Sequence, residues 1–258
     1  MTDNYLTDDT RKRKLIYLLL VVAPLAFIFV SLFLGRYPIS IPDVIYILWC
    51  KISRNPCSLP DICQTLVWDI RLPRAILGAL VGGCLSISGA AFQGIFRNPL
   101  VNSGILGVSS GAGFGAALAI ILFNAIAPTY IFAFAFGILA VILSYLIARV
   151  YNATPTIMLV LGGVIVSSVF SALISLTKYV ADPMDQLPAI VFWLMGSLAS
   201  ARYQDIAIAG IPMLIGIGGM LAIRWRINVM SMGDKEAQSL GINPVLNKGI
   251  VIACATLA

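Results

Sequence analysis

Residues 15–34 contain no Asp, Glu, Lys or Arg. At 1.5 Å per helical residue such a run spans about 30 Å, the thickness of a bilayer's hydrocarbon core. Five more uncharged runs follow, at 75–96, 104–126, 129–148, 155–177 and 206–223, which makes six predicted spans. Long apolar runs separated by short polar stretches predict an all-α, polytopic membrane protein rather than a soluble domain. The composition agrees: 60% of residues are hydrophobic and only 11% are charged, a balance that a soluble globular surface does not tolerate. The first run is too long for a signal-peptide core and no A-x-A site follows it, so it is read as a retained span.

The sequence contains no histidine, which removes the commonest metal ligand and the commonest catalytic base. No cofactor or metal site is predicted. The net charge of +6 comes from Lys and Arg scattered between apolar runs, a distribution that speaks for topology and docking and against nucleic acid. Arg11-Lys12-Arg13-Lys14 precede the first span and predict a cytoplasmic N-terminal segment, 1–14, ahead of a membrane domain, 15–258. Alternation then puts 35–74 and 178–205 outside and 224–248 inside. Arg36, Lys51, Arg54, Arg71, Arg74, Lys178 and Arg202 fall in the outer connections, so basic residues there need a reason other than topology. The last run, 249–258, is about half of a span, and the expectation is a seventh helix whose remainder is missing.

Cys50, Cys57 and Cys63 share the first polar connection, without C-x-x-C spacing. One disulfide among them, or unpaired small apolar side chains, are both open readings. Small residues recur every fourth position: Gly78, Gly82, Ser86, Ala90 and Gly94; Gly107, Gly111, Gly115 and Ala119; Gly163, Ser167, Ser171 and Ser175. That spacing aligns one helix face and predicts packing seams, with the lining of a translocation path as the alternative. Gly107-Val108-Ser109-Ser110-Gly111 matches the nucleophile-elbow pattern literally. With no histidine and no charged residue in any predicted span, it lacks a base, and no catalytic residue is assigned. No GxxxxGK[ST] occurs, so ATP chemistry by this chain is not expected. An ion-coupled secondary transporter is the rival reading, weakened because such carriers usually keep ionisable groups within their spans.

Between the sixth and seventh runs, Ser231 and Asp234 form an S-x-x-D start, while Gly241 and Pro244 supply a stop. They predict a helix of about two turns, too short and polar to span. On the other side, Arg71-Leu72-Pro73-Arg74 leads into the second span. Arginines at a helix N-terminus oppose the macrodipole, so they suggest either snorkelling or a docking pair for carboxylates.

Taken together, these residues resemble the permease family of ATP-binding-cassette importers for iron-siderophore, haem and cobalamin. The matching stretches are 71–74, Ser88-Gly89-Ala90-Ala91-Phe92-Gln93-Gly94-Ile95-Phe96-Arg97-Asn98-Pro99-Leu100, 104–112, Phe192-Trp193-Leu194-Met195-Gly196-Ser197-Leu198 and the 232–241 helix. The resemblance implies a homodimeric permease fold of about ten helices, each of spanning length, in the cell membrane. It implies ATPase subunits in the cytoplasm and a substrate-binding protein outside. It assigns binding-protein docking to Arg71 and Arg74. ATPase coupling falls to Gly233, Asp234, Glu236, Ala237, Leu240 and Gly241 within the coupling segment 224–248, and Asn98, Pro99, Ser167 and Ser171 take the path and its helix break. The expected cargo is an iron-siderophore complex or a cobalamin- or haem-like ligand. Asn102-Ser103 stands where the family commonly has a proline, so the break there is expected to rest on Pro99 and the glycines.

Overall fold

A computed structural model of the chain describes residues 2–149 and 155–258, with side chains from residue 14 onward. The side chains of Arg11, Lys12 and Arg13 thus lie outside the described residues, and so does their expected role in orientation. The described residues form helices and no strand. They fall into two units, Met1–Ala79 with Leu198–Ile208, and Leu80–Ser197 with Ala209–Ala258.

The first unit opens with α1 (Thr2–Ser31), whose apolar side chains are turned outward, as lipid-facing residues are when no water competes. The connection after it is more structured than its polarity suggests. In it α2 (Ile41–Ser53) is capped by Ser40, whose Oγ accepts from the Asp43 amide at 3.3 Å. Val44 and Ile47 join Leu32, Ile39 and Val67 in a small core and Cys50 is also buried, while Ile45, Trp49 and Ile52 are exposed. α3 (Asp61–Thr65) and a π-helical turn (Leu66–Arg71) run directly into α4 (Leu72–Phe96). Cys50, Cys57 and Cys63 are all free thiols. Burial pushes the Cys50 thiol above the usual range.

In the second unit α5 (Val108–Phe123) packs on α6 (Ile126–Ala148), and both pack on α7 (Thr156–Val180). Gly111 makes the α5–α6 approach: a Cβ there would lie 2.5 Å from the Phe136 carbonyl oxygen and 2.6 Å from Ala140 Cβ. The seam predicted from Gly111 and Gly115 is therefore real, and so is the one at Gly163, where the Ile105 carbonyl fills the space of a side chain. The α4 stripe is mixed: a Cβ at Gly94 would lie 3.3 Å from Ile227 and one at Gly78 3.4 Å from Leu198, whereas nothing described approaches Gly82 within 4 Å. α8 (Gln186–Met195), α9 (Tyr203–Ala222), α10 (Arg224–Met230), α11 (Asp234–Ser239) and α12 (Pro244–Leu257) complete the chain, with α9 beginning in the first unit.

Among the described residues, five segments are long and apolar enough to cross a membrane: Lys14–Ser31, Asp61–Phe96, Ile126–Ala148, Thr156–Val180 and Tyr203–Ala222. The third predicted span, 104–126, is the exception. Its helix has 16 residues, about 24 Å at the α-helical rise. The polypeptide does not re-enter a helix until Gly107, which at φ +82° holds a left-handed conformation.

Candidate functional site

The break after α4 is built by side chains that sequence periodicity does not reveal. Arg97 takes φ +52°, its amide bonding the Gly94 carbonyl, and the Asn98 amide reaches back to Gln93. That is a Schellman closure with arginine where glycine is usual. Asn98 Oδ1 accepts from the Leu100 amide at 2.9 Å, and Asn102 Oδ1 from the Gly104 amide at 3.0 Å. Gln93 Nε2 donates to the Pro99 and Val101 carbonyls at 3.0 and 3.3 Å. From α6, the buried Ser144 hydroxyl donates to Leu106 O at 2.8 Å. The turn therefore rests on two Asx turns and two anchoring side chains, and not on Pro99 and glycines alone.

Between this turn and α7 lies an open groove of about 590 Å³, lined by Asn102, Gly104, Ile105, Val164, Ser167, Ser168 and Ser171. Ser167 and Ser171, singled out in the sequence, line it; Asn98 and Pro99 are not among its lining residues. Ser168 Oγ donates to Val164 O at 2.9 Å, so its proton is spent on its own helix and a lone pair faces out. The lining carries hydroxyls, an amide and apolar surface with no charged side chain. It is suited to a ligand handled by many weak contacts.

α11 stands on the same unit. Its start was expected at Ser231, but Ser231 Oγ donates to Asn228 O at 2.6 Å and belongs to the end of α10. Gly233 takes the N-cap position, at φ +145° and without a side-chain cap. The exposed Glu236 carboxylate lies over its Cα, so a Cβ there would require that side chain to move. The stop is as predicted: Gly241 at φ +75°, with Gly241 N on Gln238 O and Ile242 N on Ala237 O, both 2.9 Å, a Schellman motif. Pro244 opens α12 behind the N-cap Asn243. Ala237 is fully buried in the apolar core formed with Phe92, Phe96, Leu106, Leu159 and Met230. Glu236, Leu240 and Gly241 face outward, and Asp234 is half-buried.

The two arginines of the first unit have separate tasks. Arg71 is 8% exposed, and its guanidinium donates to the carbonyls of Leu32 (2.9 Å), Phe33 (3.3 Å) and Tyr37 (2.5 Å). It thereby ties together the turn that follows α1. Any side chain at Gly35 would meet this group, with Cβ 2.6 Å from Nη2. Arg74 is exposed and donates to Leu198 O (3.2 Å) and Ala199 O (2.6 Å).

The profile of the FecCD transport family matches residues 19–258. This chain belongs to the FecCD transport family. A molybdate import system permease protein of Haemophilus influenzae is 39% identical over 86% of this chain, which spans 66% of that relative. A probable iron chelatin transport system permease protein of Helicobacter pylori is 42% identical over 75% of the chain and is spanned for 58% of its length. The chain thus covers about three fifths of the curated relatives it matches. A solved structure described as an inward-facing conformation of a metal-chelate type ABC transporter superposes with a TM-score of 0.76 at 33% identity. That likeness covers 92% of this chain and 70% of the other.

In this FecCD chain, the residues of the candidate site that sequence periodicity does not reveal are polar groups that bond backbone, Asn102 and Gln93 within eight residues and Ser144 38 residues away. Asn102, Gln93 and Ser144 set the groove's wall, and each looks in sequence like an ordinary polar residue. The Asn102-Ser103 pair carried a usable signal, because Asn is the residue that replaces a rigid turn by an Asx turn.

Proposed function

We propose that this chain is the membrane-spanning permease part of an ATP-driven importer. It would be a multi-pass protein of the cell membrane with its N-terminus in the cytoplasm, and it would work as a homodimer. Soluble ATPase subunits would dock on α11, and an extracytoplasmic binding protein would deliver the cargo on the side of Arg74. The observation that carries this reading is α11 itself. A polar helix of 6 residues, too short to span, is closed by a Schellman turn and seated through Ala237 in the core that also holds Leu159 of α7. A loose loop would transmit displacement poorly; a seated helix moves what it is packed on. Glu236, Leu240 and Gly241 offer its free face to an ATPase. Docking falls mainly to Arg74, with Arg71 fixing the surface on which it stands. The outward apolar side chains of α1 and of α7 suit contact with lipid.

For the cargo, we propose an iron-siderophore complex or a cobalamin- or haem-like ligand, moved through a path that includes Ser167 and Ser171. A groove without charge fits a large ligand that must not be held tightly. A second cargo reading, a molybdate-type oxyanion, is favoured by the hydroxyl and amide lining and by the relative named for molybdate. An ion-coupled carrier has less support, since the groove lining offers no carboxylate.

The test is co-purification of the full-length protein from its own membranes, followed by uptake into proteoliposomes of radiolabelled ferric siderophore, cobalamin and molybdate. A P-loop ATPase in the complex and ATP-dependent uptake of one of these supports the importer. Reproducible absence of an ATPase, with uptake driven by an ion gradient, would overturn it.

A further inference from the structure

The start of α11 is held by a charge that lies where charge is expensive. Lys248, on the first turns of α12, is 1% exposed. Its Nζ lies 2.7 Å from Asp234 Oδ2, at the first residue of α11, and 3.5 Å from Thr156 Oγ1, the first residue of α7. One ammonium therefore joins the N-terminal ends of three helices of the same unit. Stability alone is a poor reason for it. An ion pair with one buried member roughly breaks even against well-packed apolar side chains, and such pairs persist chiefly where they fix register. The same three helices also share apolar packing, since Ala237 of α11, Leu159 of α7 and Val251 and Ile252 of α12 are buried in one core. Arg97, which closes the end of α4, brings Nη1 to within 3.4 Å of where a Gly233 Cβ would stand. The turn that walls the groove thus also ends beside α11.

We propose that Lys248 is a positioning residue that couples α11 to α7, so that a displacement imposed on α11 reaches the helix carrying Ser167 and Ser171. The inference rests on the importer reading for its purpose, but the tie is a property of this chain and is measured separately. Asp234 is 43% exposed at its side chain. When the lysine is removed, its carboxylate turns to water and the tie is lost without a stranded buried charge.

The experiment uses the full-length protein in nanodiscs, with spin labels at Gln238 on α11 and Ile157 on α7, both exposed, in a cysteine-depleted background. Lys248→Met, which keeps length and apolar stem, is compared with Lys248→Arg and with Asp234→Asn, which removes the charge of the same ion pair from the exposed end. Broadening of the label-to-label distance distribution in Lys248→Met and Asp234→Asn, but not in Lys248→Arg, supports the tie. With the ATPase present, the two broadened variants should lose at least tenfold in cargo moved per ATP while hydrolysis continues. An unchanged distribution in both variants, or full coupling despite broadening, overturns the proposal. If the unmodified protein shows no ATP-driven uptake, the importer reading falls, and the distance distributions still decide whether Lys248 holds α11 to α7.

Discussion

Gly111→Ala tests whether the glycine seam between α5 and α6 sets the spacing of the second unit. The added Cβ would stand 2.5 Å from Phe136 O and 2.6 Å from Ala140 Cβ. Carbon atoms rest at about 3.5 Å or more, so α6 has to retreat by roughly 0.9 Å at this crossing. A gap of that size forfeits a quarter to a half of each contact's dispersion energy along the seam, and overpacking of this kind costs about 1–3 kcal/mol. Alanine's better helix propensity returns up to about 1 kcal/mol. With the full return the net is a loss of up to about 2 kcal/mol, or up to about 8 °C in apparent melting temperature at about 2–4 °C per kcal/mol. Gly82→Ala is the matched control, because nothing described lies within 4 Å of its Cβ; it keeps only the propensity gain and should be neutral or slightly stabilising. Both are measured on the full-length protein in one detergent at a fixed scan rate. A Gly111→Ala protein melting at or above Gly82→Ala would refute the idea that this seam is closed by steric contact.

Arg71→Glu should abolish folded yield, because a carboxylate would face three carbonyls in a buried site at a cost on the order of 3–5 kcal/mol; Arg74→Glu should insert normally and lose binding-protein affinity, read by pull-down and size-exclusion profile. Glu236→Lys on the exposed face of α11 should leave ATPase association measurable but lower uptake per ATP, and normal coupled uptake would contradict α11's assigned role. Ser88 Oγ is buried and has no hydrogen-bond partner among the described residues; Ser88→Ala should therefore stabilise by about 1 kcal/mol, and a drop in melting temperature would mean that the hydroxyl has a partner beyond the described residues. Because burial raises the Cys50 thiol, its thiolate fraction at pH 7.5 is smaller than that of an ordinary cysteine. Maleimide should label Cys57 and Cys63 first, with the gap narrowing toward pH 9, as read by peptide mass spectrometry.

The membrane helices were legible because one physical variable, the cost of charge in hydrocarbon, marks them along the chain. Runs free of charge located α1, α4, α6, α7 and α9, and Gly241 located the end of α11. Where structure depends on a partner distant in sequence, the chain gave no such mark. α2 buries only Val44, Ile47 and Cys50, with Lys51, Tyr46 and Trp49 exposed, so its region reads as a polar connection. α10 begins Arg-Trp-Arg and was absorbed into the segment 224–248. The 104–126 run was read as one span because glycine and serine are apolar enough not to interrupt it, although Gly107 breaks the helix by its backbone.

The arginines show the same limit from the side of function. By local rules Arg71 and Arg74 are wrong for the N-terminus of α4, which pointed either to snorkelling or to a docking partner. For Arg71 the acceptors are carbonyls in the turn after α1, 34 to 39 residues earlier, and for Arg74 they are carbonyls 124 and 125 residues later. An unfavourable local charge was thus a sound signal of a remote partner, but it could not say whether that partner lay in the same chain. Lys248 obeys the same rule: by sequence it is one cation ending a polar segment, and only the fold sets its ammonium between Asp234 and Thr156. Among the described residues of the second unit, it is where misplaced charge and helix convergence coincide, which is why variation there should move coupling before it moves folding.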